Sequence, residues 1–274
     1  MTISTLDGLV NALGNSTSRV VWDKASIANA AAGQIFSLWR ATGTPAQGAI
    51  PGAAAIATSA LTGAMGFANQ TAPATSYYAW QTIATGNAAT SVEIHDRLAH
   101  MGGLNGTLLT AQTVGIDLTT LGGGLPAARR GGADFSDVQW WLEWYTDTGA
   151  TASNATVAVT YDDGSTGNLA VIAVGGTVRA SRMIPLVPAV AGRFIRGVTS
   201  VTLSASTGTA GNFGVTATRQ RTVVNSNIAN KYEQYDWANL GLPEIPNDSC
   251  LMMVVLCSTT TTGIVRGQGK IAHG

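Results

Sequence analysis

The sequence predicts a mainly β protein: an antiparallel β-sandwich or jelly roll preceded by a short helical, Ala/Gly-rich N-terminal arm. Three observations carry this. Apolar residues alternate with period two over Val138 to Trp144 and again over Ala155 to Tyr161, which puts one face of each segment in a core. Turn residues close these runs, as in Asp147-Thr148-Gly149 and Asp162-Asp163-Gly164, where glycine accepts a positive φ. Beyond residue 75 no helical pattern separates the strand-like runs, which argues against a βαβ fold.

Taken in order, Leu6, Leu9, Val10 and Leu13 fall at i, i+3, i+4 and i+7, with Asp7 in the first turn, and predict a helix ended by Gly14-Asn15-Ser16. A second helix is expected from Ser26 to Arg40, where Ile27, Ala30, Ala31, Gln34, Ile35, Leu38 and Trp39 keep helical spacing. Both are short enough to need a partner surface. From Ala41 to about Ala74 the chain has linker composition, with Thr44-Pro45, Ile50-Pro51-Gly52 and Ala53-Ala54-Ala55. Residues 1–74 therefore read as a docking arm and 75–274 as the sandwich. Deleting 1–40 should leave a folded remainder. Strands are expected at Tyr77 to Ile83, Val92 to Leu98, Val138 to Trp144, Ala155 to Tyr161, Leu169 to Val174, Ile195 to Leu203, Phe213 to Val224, Leu251 to Cys257 and Gly263 to Ala272.

Composition narrows the function. The chain has 274 residues, 11% of them charged, against roughly 25% in an average soluble protein. Fifteen basic and fifteen acidic side chains cancel, so neither a nucleic-acid footprint nor an acidic tail is indicated. An apolar content of 45% and seven Trp exclude disorder. Met1 to Asp7 lacks the features of a secretion signal, and the apolar run Leu251 to Cys257 falls short of the roughly 18 residues of a membrane helix. Cys250 and Cys257, at an odd spacing in one strand, face opposite ways and are expected to stay free, as in a reducing cytoplasm.

No catalytic set emerges, and the chain is expected not to be an enzyme. His95, Asp96 and His100 are the one local group of metal-type ligands, yet histidines five apart diverge on a helix and lie on opposite faces of a strand, so they are expected to be surface polar groups. Gly122-x-Gly124-x-x-Ala127 is interrupted by Pro126 and has no βαβ context. The Gly263 to Lys270 segment misses P-loop spacing, and the residues around Ser165 fall one short of a nucleophile elbow. No metal and no cofactor are expected. Arg129-Arg130, Arg193/Arg196 and Arg219/Arg221 read as inter-subunit carboxylate partners or edge charges.

The small-residue helical arm, the Thr-rich strands and the stretch Trp141-Leu142-Glu143-Trp144-Tyr145-Thr146-Asp147-Thr148-Gly149-Ala150-Thr151 together resemble virion structural proteins of tailed bacteriophages, of the jelly-roll capsid decoration or cement type. The resemblance covers the whole chain in style and offers no catalytic residue to carry over. It implies synthesis in the host cytoplasm, a place in the virion, self-association as a trimer or higher ring, and the major capsid protein or other virion proteins as partners, with neither nucleic acid nor membrane bound. The candidate docking residues are Leu6, Leu9, Val10, Leu13, Ile35, Leu38 and Trp39. Two alternatives stay open. One is a neck, tail or baseplate component; the other is a carbohydrate-binding host-attachment module using a platform of Trp141 and Tyr145.

Overall fold

A computed structural model describes residues 3–274 and is mainly β. In chain order the elements open with helix α1 (Leu6–Asn15), then β1 (Thr17–Lys24), β2 (Ile35–Ser37), β3 (Gly43–Thr44), β4 (Ala55–Ile56), β5 (Ser76–Thr85) and β6 (Thr90–Asn105). They continue through β7 (Gln112–Asp117), α2 (Ala127–Arg130), β8 (Gln139–Trp144), β9 (Ala152–Tyr161), β10 (Thr166–Asn168), β11 (Ile172–Gly175) and β12 (Arg182–Leu186). The last are β13 (Ile195–Leu203), β14 (Asn212–Ser226), β15 (Glu233–Asp236), α3 (Trp237–Leu240), β16 (Leu251–Leu256) and β17 (Val265–His273). The chain divides into two compact units, and neither is contiguous. Unit 1 comprises residues 1–49, 58–96 and 220–274, and unit 2 comprises 50–57 and 97–219.

In unit 1 an antiparallel sheet runs in the order β15-β5-β17-β1-β3. Facing it, β16 pairs with β2 on one side and with the first part of β6 on the other. Val20 and Trp22 of β1, Tyr78 and Ile83 of β5, and Val265 and Ile271 of β17 meet Phe36, Ile94, Met253 and Val255 in one core. Period-two alternation explains the choice of side chains: Val20, Trp22 and Lys24 turn inward while Arg19, Val21 and Asp23 turn out. Gly267 of β17 sits where a side chain has no room, since a Cβ there would overlap the Thr82 carbonyl and crowd the Trp22 indole. Helix α1 covers one end of the five-stranded sheet, with Leu9 and Ala12 packed on Ala79 and Ala272.

Unit 2 repeats the two-layer plan. One antiparallel sheet is β10-β9-β13-β7, with β11 also paired to β9. The other places β8 between β12 and β14. Trp140, Leu142 and Trp144 of β8 pack against Val157, Val159 and Tyr161 of β9 and Val198 and Val201 of β13, so the predicted inward faces meet in one core. The Trp144 and Phe213 rings stack with centroids 4.3 Å apart. Asp162-Asp163-Gly164 is the expected hairpin turn, with Gly164 at φ +87° and Thr166 registered on Thr160.

The first seventy-four residues depart from expectation. They are not a separate arm: β1 lies between β17 and β3, and residues 50–57 belong to unit 2. Deleting residues 1–40 would remove a central strand, so the remainder should not stay folded. The helix expected over Ser26 to Arg40 is absent. Asn29 and Gly33 adopt positive φ values of 61° and 76°, and the end of β16 captures the backbone, Gly33 N–H donating to Cys257 O at 2.8 Å and Cys257 N–H to Gln34 O at 2.9 Å. β-branched Ile35 and aromatic Phe36 then extend the sheet as β2. The α1 expectation was accurate in place, and its Thr5 cap accepts the Gly8 N–H at 3.0 Å.

Candidate functional site: buried ion pairs and exposed apolar clefts

Most of the charged residues singled out by the sequence are used inside the fold. In unit 2 the Arg97 guanidinium lies fully buried and donates in four directions. Its Nη2 reaches Glu143 Oε2 at 2.6 Å, Tyr145 Oη at 3.0 Å and Thr216 Oγ1 at 3.1 Å, Nη1 reaches Glu143 Oε1 at 3.2 Å, and Nε reaches His100 Nδ1 at 2.8 Å. Thr216 and Tyr145 donate their hydroxyls to the same Glu143 Oε2, at 2.6 Å and 3.1 Å. The carboxylate is thus matched by one cation and two hydroxyls. Burial and then the Arg97 charge lower the His100 pKa to about 3, against an opposing pull from Glu143, so the imidazole is neutral and accepts from Arg97. Burial first, and then Glu143, raise the Tyr145 phenol well above its ordinary value, which keeps it a donor. This network ties β6, β8 and β14 together; with no access to solvent it cannot take a substrate.

Unit 1 contains a second lock. Asp96 accepts from Cys250 N–H at 2.8 Å, Ser249 Oγ at 2.9 Å and Arg221 Nη2 at 3.2 Å. The histidines expected at the surface are buried instead: His95 is closed off and pairs with Glu93 at 2.6 Å, and His100 is part of the Arg97 network. Among the described residues no group of three or more His, Cys, Asp or Glu could hold a metal. The arginines expected to serve neighbouring subunits find partners within the chain. Arg193 pairs with Asp162 and Asp163, Arg196 with Asp117, and Arg219 with Asp137, while Arg129 caps the carbonyls of Ala57 and Arg97. Cys250 and Cys257 are both free and buried. No described helix is long and apolar enough to cross a membrane.

What remains open to a partner is apolar. On α1, Leu9 and Ala12 turn inward, whereas Leu6 and Val10 are 57% and 59% exposed. Asp236 caps the short helix α3 by accepting from Ala238 and Asn239 N–H, and this presents Trp237 beside α1. A cleft of about 320 Å³ results, lined by Ile3, Leu6, Leu9, Trp237 and Leu242. A second apolar groove, of about 250 Å³, lies in unit 2 against Trp140, Pro185, Leu186 and Pro188, and Val187 at its rim is 66% exposed.

The candidate docking residues therefore separate. Leu6 and Val10 are available, Leu13 is half-buried and Leu9 is buried. Ile35 begins β2, and Leu38 and Trp39 are buried within their own unit, Trp39 donating its indole N–H to Ala49 O at 2.9 Å. They do not join the α1 surface. Trp141 and Tyr145 form no platform, each being 5% exposed. Trp141 bonds Thr218 Oγ1 at 2.8 Å and Tyr145 serves Arg97. The second face of β8 is closed by side chains of β6 and β14, Arg97 and Thr216 meeting Glu143 and Tyr145 while Thr218 meets Trp141. Glu143, a charge between Trp141 and Tyr145 on that face, was the overlooked sign of a buried ion pair.

Fold and surface together define a mainly β protein of two antiparallel units, locked by buried ion pairs and carrying apolar clefts. No protein-family model and no curated protein matches the sequence. Solved structures align over nearly the whole chain at low similarity. The T=1 particles derived from infectious bursal virus are 10% identical over 94% of this chain and 77% of that one, with a TM-score of 0.17. The VP2 subviral particle of infectious bursal disease virus is 11% identical over 94% and 79%, also with a TM-score of 0.17. Superpositions this poor carry no argument about fold or role.

Proposed function

We propose that this chain is a non-enzymatic structural protein of a virus particle, of the kind that decorates and cements the capsid lattice of a tailed bacteriophage. The observation that carries the reading is the exposed surface of α1: an ordered, capped helix holds Leu6 and Val10 in water, with Leu6 lining a cleft beside Trp237. A helix that served only its own unit would be expected to carry polar residues at those positions. Covering such side chains stabilises an association by roughly 1.5–3 kcal/mol for each one fully buried. The low charge density of the chain lowers the desolvation cost of burying extensive surface. The buried ion pairs of both units favour a rigid building block over one that deforms around a substrate.

In this reading the chain self-associates and binds the major capsid protein or another virion protein. The test is co-sedimentation with virions purified from the source lysate, comparing the parent chain with a Leu6→Ser/Val10→Ser variant. The parent should pellet with particles in stoichiometric amount and the variant should stay in the supernatant. A parent chain absent from purified virions would overturn the proposal.

A further inference from the structure

The five-stranded sheet of unit 1 has a second, open part of its outer face. Helix α1 covers the end at Ala79 and Ala272; beyond it the sheet carries rows of side chains set by strand register. One row is Arg19, Lys270 and Trp80, the next is Val21, Gln268 and Thr82, and the third is Asp23, Arg266 and Ala84. A cleft of about 530 Å³ takes in Arg19, Val21, Gln268, Thr82, Asp23 and Arg266 of these rows, and Tyr232, 60% exposed, forms its side from the loop between β14 and β15.

The charges on this face are unbalanced. Arg266 is paired with Asp23 at 3.0 Å. Arg19 and Lys270 stand directly opposite each other in register, and among the described residues neither has a hydrogen bond or an ion pair. Directly opposed side chains on neighbouring strands have Cβ atoms about 5 Å apart, and like charges there destabilise a sheet. Arg193, Arg196 and Arg219 each face a carboxylate, whereas these two cations stand side by side with no anion between them.

We propose that this face binds an acidic polysaccharide, with sugar carboxylates between Arg19 and Lys270. A guanidinium suits a planar carboxylate through paired N–H donors, and the ammonium adds a second charge beside it. Gln268 and Thr82 supply neutral donors and acceptors for ring hydroxyls, and Tyr232 offers an exposed ring against which a pyranose can lie. A duplex nucleic acid fits less well, because its affinity rests on many phosphate contacts, whereas this face offers two free cations, Arg19 in the cleft and its register partner Lys270, and the cleft is also lined by the Asp23 carboxylate. The site is independent of the α1–α3 cleft and of the assembly reading.

The test uses the full chain and octamers of α-1,4-linked galacturonate, followed by calorimetry at low salt. The galacturonate octamer should bind, and its methyl ester, the same backbone without the charge, should bind at least about tenfold more weakly, a difference of 1.4 kcal/mol. Arg19→Gln/Lys270→Gln should lose about the same factor, Tyr232→Ala should also weaken binding, and the double variant should melt no lower than the parent because a like-charge pair has gone. Absence of binding at about 5 mM octamer, equal binding of the ester, or unchanged affinity in a folded double variant would overturn the proposal. So would equal or tighter binding of a polyglutamate octamer or an eight-base-pair DNA duplex, which would assign the face to a different class of polyanion.

Discussion

Arg97 and Glu143 form a doubly hydrogen-bonded ion pair in which neither side chain is exposed to solvent, and its shorter contact is 2.6 Å. The pair joins β6 and β8, strands of one sheet, through one guanidinium and explains why a charged residue interrupts the aromatic run of β8. Removing one partner strands the other. Glu143→Leu leaves a buried, unmatched arginine and should destabilise the protein by about 3–5 kcal/mol, whereas a double replacement by apolar residues of similar volume, Arg97→Met/Glu143→Leu, should recover much of the loss. Urea unfolding of the parent and the two variants provides the comparison.

His100 sets an acid limit. Its folded pKa lies at about 3 against 6.5 for the free side chain, so between those values the unfolded chain binds a proton that the folded one refuses. Stability from this group is complete above the unfolded value and falls as pH drops from 6.5 toward 3, by about 1.4 kcal/mol per pH unit at most. His100→Gln keeps an acceptor for Arg97 Nε and cannot titrate. Its denaturation midpoint should therefore fall less steeply than the parent's between pH 6 and pH 4, and parallel curves would refute this role.

The α1 side chains should divide by face. Leu9→Ala removes a residue packed on Ala79 and Ala272 and should cost about 2–5 kcal/mol in thermal or urea unfolding. Leu6→Ser/Val10→Ser changes exposed positions and should alter the isolated chain's stability by no more than about 0.5 kcal/mol per site.

Gly267→Ala tests the close packing at the middle of the five-stranded sheet. An added methyl meets the Thr82 carbonyl and the Trp22 indole, neither of which can swing away, so a loss of about 1–3 kcal/mol in urea unfolding is expected. Near-parent stability would show that β5 and β17 can separate locally.

Strands with strict alternation were legible in advance. Ile195–Leu203 matches β13 at both ends, and the runs at Ala155, Phe213, Leu251 and Gly263 lie within or beside their strands. Burial on one face is a local property, so period two reports it. The second helix was misread because its apolar spacing suits a helix, while the β16 backbone that captures Gly33 and Gln34 lies over two hundred residues away. β12 escaped notice because Pro185 interrupts it, and β1 because Val20-Val21-Trp22 obscures the alternation. Discontinuous units leave no boundary to read in composition, since β6 and β14 pass from one unit to the other without a break in strand. At the site, Leu6 and Val10 were legible from helical spacing. The closure of Trp141 and Tyr145 was not, because it depends on Arg97 and Thr218, which distant strands bring onto that face.

In the assembly proposed above, a neighbouring protein covers Leu6 and Val10 of α1. Light scattering of the purified chain across a tenfold concentration range, run beside Leu6→Ser/Val10→Ser, tests it most directly. The parent should have a mass of three chains or more, and the variant should shift to the monomer with its fold intact. A parent that stays monomeric at every concentration, or a variant that assembles as the parent does, would contradict it.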